Sequence, residues 1–250
     1  SPPLTPGVIK IGTGTELRAK VEEYTDSETE LALCAPPGTI LLLDSPIIVS
    51  GFNLTLWSSD GGAVIDGQWR TLVFCIFANA TLEMRSFTVR CGAGMHAGAI
   101  DSSGIVSLWD STISACTADS AGTHAAGGLY VRCGFATITG CVISNCTGRA
   151  LLEAAVGGIL VSGGSASIMA SSVVECAGST QGLIAVGGIH AEGPSQLMLR
   201  NSSVVNCSGW ATEGAGGGLS IDGASATVDF CEVARCRSAS STISAGGAIL

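Results

Sequence analysis

A pair of small residues followed by an apolar one returns along this chain at nearly constant spacing. It reads Ala97-Gly98-Ala99, Gly127-Gly128-Leu129, Gly157-Gly158-Ile159, Gly187-Gly188-Ile189, Gly217-Gly218-Leu219 and Gly246-Gly247-Ala248, 30 residues apart four times and 29 once. A fixed period of this size implies a stacked array, in which each unit buries its apolar face only against its neighbours. A second marker keeps the same register: Cys116, Cys146, Cys176 and Cys236 each follow the second small residue by 18 positions and Cys207 by 19, with Cys91 assigned to the preceding unit.

Within a unit the apolar residues alternate with period two, the mark of strands with one buried face. Leu129, Val131 and Cys133 are expected to point inward, then Ala136 and Ile138, then Cys141 and Ile143. Three short strands per coil follow. Gly134, Gly164 and Gly193 fall between the first and second strands, where a corner needs unusual backbone angles. About ten residues after each cysteine, such as 177–186, read as an outward loop. Upstream, Leu56, Leu82 and Leu108 are read as one second-strand position recurring every 26 residues.

The expected fold is therefore all-β: a single-stranded right-handed parallel β-helix (β-solenoid) of about 30 residues per coil, over residues 31–250. Residues 1–30 are read as an N-terminal extension ending in a short capping helix, with Thr15 as N-cap and Leu17, Val21 and Tyr24 on its apolar side. The last small-residue pair, Gly246-Gly247, opens a further coil, so the expectation is that the solenoid continues or stacks on a partner there.

Composition narrows the function. Apolar residues make up 46% and charged ones 12%, which argues for a folded chain, and 35 glycines favour many tight corners. A net charge of −9 without a Lys/Arg cluster argues against nucleic acid. No run has the length of a spanning helix, since 39–49 is short and includes Asp44 and Pro46. Sequons at Asn53, Asn79, Asn145, Asn201 and Asn206 permit N-glycosylation and point to a secreted or cell-surface protein.

The block 62–92, GAVIDGQWRTLVFCIFANATLEMRSFTVRCG, followed by AGAI, resembles the start of right-handed β-helix proteins of the pectate-lyase-like superfamily. The recurring GGxI element is similar to the repeats of polymorphic outer membrane proteins. That family pairs its glycine motif with Phe-x-x-Asn. Here the paired element ends in cysteine, as in Thr88-Val89-Arg90-Cys91, Ile113-Ser114-Ala115-Cys116 and Ile143-Ser144-Asn145-Cys146. The resemblance covers about 30–250 and implies the fold and a surface-exposed, adhesin-like role.

The column Cys91, Cys116, Cys146, Cys176, Cys207 and Cys236 reads chiefly as an interior ladder of small buried thiols. Vertical disulfides have suitable Cα spacing but an awkward torsion between in-register side chains. A metal centre is disfavoured, because a column does not converge tetrahedrally and there is no CxxC or HxxxH.

For chemistry, the outward positions of the first strand are expected to be Tyr130 and Arg132, Leu160 and Ser162, His190 and Glu192, and Ser220 and Asp222. Glu192 and Asp222 would be neighbours on adjacent coils, with His190 and Arg132 nearby. That is the best catalytic grouping available, suited to a polysaccharide lyase or hydrolase and to a calcium ion as its cofactor. The plainer expectation is that the carboxylates are solvated, that His190 is an exposed surface histidine, that His96 and His124 are incidental in loops, and that Asp66 forms a turn. No Ser-His-Asp order, phosphate loop or dinucleotide fingerprint is present.

The leading expectation is a structural and interaction protein. Its loops near 118–126, 148–156, 178–186 and 209–216 carry Leu151, Leu152, Leu183, Ile184 and Trp210 and would meet another protein chain or an extracellular glycan, unless they pack on the adjacent sheet. Assembly through the uncapped C-terminal end is the other route to a partner. A carbohydrate-active or glycan-binding protein using Glu192 and Asp222 is the alternative.

Overall fold

The computed structural model describes residues 8–24, 30–59 and 61–241. It is a parallel β-solenoid of about six turns. The open C-terminal end expected at 246–248 lies outside the described residues, as does the start of the N-terminal extension.

One coil defines the rest. Its first strand is Leu129–Val131, its second Phe135–Thr139 and its third Val142–Ser144. The connection expected to be a loop then forms two more strands, Thr147–Ala150 and Ala154–Val156. A full-length coil thus carries five strands, not three. Each stacks in register on its counterpart one coil away, as in Leu129↔Ile159, Ile138↔Ile168, Ile143↔Val173, Arg149↔Ser179 and Val156↔Val186. All five ladders are parallel, so side chains pile into continuous columns.

The first three strands enclose the main core, which runs from Leu31 and Leu33 through Leu129, Ile138 and Ile143 to Val204 and Leu219. The fourth and fifth strands escape a period-two reading because they pack face to face through almost nothing. Ala118, Ala125, Ala150 and Ala155 form one small cluster between them, and Ala185, Ala211 and Ala215 another. A methyl group on Gly148 would sit 2.1 Å from the Val156 carbonyl oxygen, so only hydrogen fits. The fifth strand then folds over the outer face of the first: Ala126, Val156 and Val186 cover Tyr130 and Leu160.

The recurring glycine pair serves this fold-back. A methyl on Gly157 would lie 2.3 Å from Ala177 N and 2.4 Å from Gly187 O. At these positions glycine answers close backbone approach. At Gly163, Gly193 and Gly223 it answers positive φ angles of 78°, 61° and 67°. Cys133 occupies the same corner in its own coil; the strand has ended at Val131, and Cys133 is exposed, not inward as expected. Gly134 and Gly164 are corner residues without positive φ, and Gly134 abuts the Gly104 carbonyl.

Two further corners explain the cysteines. Asp110, Ala170, Asn201 and Phe230 end the second strands with φ near 50°, and Ala115, Asn145, Glu175, Asn206 and Arg235 do the same after the third. That conformation costs a non-glycine residue about 1–2 kcal/mol. The residue that follows donates a side-chain hydrogen bond back across the turn: Ser111 Oγ to Trp109 O at 2.8 Å, Ser171 Oγ to Met169 O at 2.7 Å, Cys146 Sγ to Ser144 O at 3.3 Å and Cys176 Sγ to Val174 O at 3.4 Å. The hydroxyl bonds return about 1 kcal/mol apiece, the thiol bonds less. Cysteine suits the second corner because it is small, apolar enough for the core and still a donor.

Three expectations upstream are corrected, the first two by register. Arg90 pairs with Ser114, so Cys91 matches Ala115, and Gly92 occupies the column position of Cys116. Cys91 is therefore a left-handed corner residue, φ 50°, outside the column. Leu56 aligns with Met84 and Leu108, whereas Leu82 aligns with Leu54 and Val106, so the three leucines are not one position. The capping helix is Gly14–Glu22, with Thr13 rather than Thr15 as N-cap. Glu16 makes the difference: its amide donates to Thr13 Oγ, while its carboxylate accepts from Thr13 N and Gly12 N. Leu17 and Val21 are buried, and Tyr24 meets Phe52 beyond the helix end.

Candidate functional site

The first-strand face is where the structure departs furthest from the outward-facing reading. Tyr130, Leu160, His190 and Ser220 occupy one row of that face and are all buried, because the fifth strands lie over them. His190, expected on the surface, has 0% of its area exposed.

Beneath the cover lies a polar clasp across three coils. His124, just before the fifth strand Ala125–Ala126, points Nε2 at Glu192 Oε1, 2.7 Å away, and Nδ1 at Glu153 Oε2, 3.2 Å away. Glu192 closes the first strand Ile189–Glu192, and its other oxygen faces His190 Nε2 at 3.3 Å. His190 Nδ1 lies 3.4 Å from the Ser220 carbonyl oxygen. The His124 ring stacks on Tyr130, with centroids 6.0 Å apart.

The electrostatics follow from this packing. The hydrogen bond to Glu192 raises the His124 pKa against the opposing effect of burial. Burial disfavours ionised Glu192, but the bonds from His124 and His190 outweigh it and hold its carboxyl well below the usual range. A charged loop histidine and a charged strand carboxylate therefore pin the connection to the solenoid.

Of the four residues expected to act together, the structure joins two. His190 and Glu192 share the clasp. Arg132 turns away, binding Asp101 through Nε and Nη2 at 2.7 Å each and lying 4.6 Å from the Tyr130 ring centroid. Asp222 is the register neighbour of Glu192, as expected, and is exposed. Among the described residues, no group of three or more His, Cys, Asp or Glu side chains is arranged to hold a metal ion. His124 and Glu153 were the partners sequence reasoning passed over; they are 68 and 39 residues from Glu192, and only the stacking of the connections brings them to it. Asp66 does form its turn, accepting from Gln68 N at 2.8 Å, and also binds Arg90 Nε at 2.8 Å.

All eleven cysteines are free thiols. Cys116, Cys146, Cys176 and Cys207 are buried in one column, with Cys236 half-buried at its end. The neighbouring thiol and burial together push Cys146, Cys176 and Cys207 upward in pKa. Thiolate is the reactive form. In the native protein a disulfide-exchange reagent is thus expected to label Cys133 promptly and these three only on unfolding. Prompt labelling of the three at the Cys133 rate, mapped by mass spectrometry, would contradict a packed column.

The connections show both behaviours weighed from sequence. Ile184 packs toward the covered first-strand face. Leu151, Leu152, Leu183 and Trp210 stay 46%, 62%, 48% and 48% exposed. The leucines stand on turns tied coil to coil by Leu151 N to Ser120 O, Leu183 N to Leu152 O and Gly214 N to Leu183 O, at 3.1, 3.2 and 2.7 Å, and Trp210 stands on the fourth strand Ser208–Ala211 beside them. They form a ridge with a fixed backbone. All five sequon asparagines are exposed. Asn145, Asn201 and Asn206 also sit at left-handed corners, which favours asparagine for backbone reasons alone.

No protein-family model, curated protein or solved structure matches the chain. No helix among the described residues is long and apolar enough to cross a membrane.

Proposed function

We propose that this is a secreted or cell-surface structural and interaction protein that presents the stacked turns of its coils to a partner. The observation that carries the reading is the ridge: four large apolar side chains, 46–62% exposed, three of them leucines on turns whose backbones are hydrogen-bonded to one another and the fourth, Trp210, on the adjoining fourth strand. Scattered exposed apolar residues need no explanation, but a row held on a rigid edge costs solubility and suits recognition.

The residues that would serve a carbohydrate-active enzyme support this reading less directly. Glu192 is engaged by two histidines and Arg132 by Asp101, so their charges are spent on holding the fold. The exposed sequon asparagines fit an extracellular setting.

Antibody labelling of intact, unpermeabilised cells that produce the protein is expected to give surface signal, with antigen also in the medium. Labelling confined to permeabilised cells would sink the surface reading. In parallel, acidic polysaccharides incubated with the protein, with and without Ca²⁺, are expected to give no unsaturated product absorbing in the ultraviolet. Product that disappears in Glu192→Gln would make the carbohydrate-active alternative the correct one.

A further inference from the structure

One surface carries a more specific ligand chemistry than the ridge as a whole. Asp119, Arg149, Ser179 and Trp210 are register partners on the outer face of four consecutive fourth strands. They form a straight row parallel to the solenoid axis, spanning about 14 Å at the ~4.8 Å spacing of parallel strands. With the turn residues Leu151 and Gln181 they line a groove of about 380 Å³.

Each group suits a sugar better than a peptide or a charged polymer. The Trp210 indole, 48% exposed, lies at one end of the row. An aromatic face exposed on a rigid strand, beside polar side chains, matches the apolar C–H face of a pyranose ring. Asp119 and Arg149, 3.7 Å apart, supply one acceptor and one fork of donors and leave the row without net charge. Ser179 and Gln181 add a hydroxyl and an amide. A neutral row offers no attraction to polyanions, and the chain's −9 charge repels them. The repeat of the groove by coil, close to the length of one pyranose in an extended chain, suits a linear ligand lying along the axis.

We propose that this groove binds an uncharged, extended oligosaccharide, with one ring stacked on Trp210 and the next units hydrogen-bonded along Ser179, Arg149 and Asp119. The proposal rests on the interaction reading above and names the partner as a neutral glycan. It assigns binding only, with no bond made or broken. Because the fourth strands are rigidly laddered, the site is preorganised and little ordering is needed on binding.

The test is titration of the purified chain with cellohexaose, xylohexaose, mannohexaose and chitohexaose, each against an oligogalacturonate of equal length, by calorimetry and tryptophan fluorescence. At least one neutral hexasaccharide is expected to saturate and the acidic one to bind more weakly. Trp210→Ala is expected to weaken that binding about tenfold or more, with Trp210→Phe intermediate because it keeps a ring. Trp109→Ala, on the second-strand sheet away from the groove, should leave affinity unchanged. Far-UV circular dichroism and melting confirm that each variant is folded. No saturation by any neutral hexasaccharide at millimolar concentration, tighter binding of the oligogalacturonate, or an unchanged affinity in folded Trp210→Ala overturns the proposal. Cell-surface labelling is read separately, so a surface protein with an empty groove is distinguished from an intracellular one.

Discussion

Replacing Gly187 with alanine is expected to destabilise the solenoid by about 3 kcal/mol or more, whereas alanine at Gly193 costs about 1 kcal/mol. The two glycines are six residues apart and serve different physical ends. A methyl on Gly187 would sit 2.2 Å from Ser208 N, in the fourth-strand ladder, and 2.5 Å from Gly217 O, in the glycine pair of the next coil. Relief would mean parting the fold-back of the connection from the third-strand corner. Gly193 has φ 61° and open space where a Cβ would stand, so alanine there meets only the left-handed penalty. In a stacked array a misfit in one coil is also felt at both interfaces. Chemical denaturation of the two variants beside the parent measures the difference; equal midpoints would mean the glycine pair does not mark close approach.

Glu192→Gln is expected to cost about 2 kcal/mol, below the range for breaking a fully buried ion pair because the carboxylate is partly exposed. The glutamine keeps the shape of the side chain but loses the charge that His124 and His190 both face. His190 has no solvent to turn to. The pH dependence has a defined sign. The folded pKa of His124 is raised, so its contribution is complete below the ordinary histidine value and is lost as pH rises through the raised one. The folded pKa of Glu192 is lowered, so its contribution is complete above the ordinary carboxylate value and is lost as pH falls toward the depressed one. Both are present together between about pH 5 and 6.5. Glu153, in contact with the His124 ring, strengthens this effect, and the positive charge of Arg132, though turned to Asp101, weakens it. The melting-temperature gap between parent and Glu192→Gln should therefore be widest in that window and narrow toward alkaline pH. A gap that is constant or grows above pH 8 would contradict a charged clasp.

Much of this architecture is legible in the chain because the repeat is strict. The glycine pairs and Leu129-, Ile159- and Ile189-type positions state the period and the inward face without help from tertiary context. The fourth and fifth strands are not legible in the same way. Thr147–Ala150 and Ala154–Val156 pack through alanine and glycine, so hydrophobic alternation has nothing large to report. Missing them exposes Tyr130 and His190 on paper, since their cover comes from the chain's own connection. Cys91 misleads because the coils before it are shorter and their glycine pair, Gly61-Gly62, leads into a third strand and not a first. The cysteines themselves are visible as a column, but their task is not: the backbone angle at Asn145 or Glu175 gives Cys146 and Cys176 a carbonyl to bind.

Each long connection folds as two ladder strands, the second lying on the first-strand sheet. Hydrogen–deuterium exchange read by mass spectrometry tests this arrangement directly. Peptides covering 147–156 and 177–186 are expected to be protected nearly as well as the second-strand peptides 135–139 and 165–169, with faster exchange confined to the turn tips near 121–123, 151–153 and 181–183. Uniformly rapid exchange across 147–156 and 177–186 would contradict it, leaving His190 uncovered and the ridge without its fixed backbone.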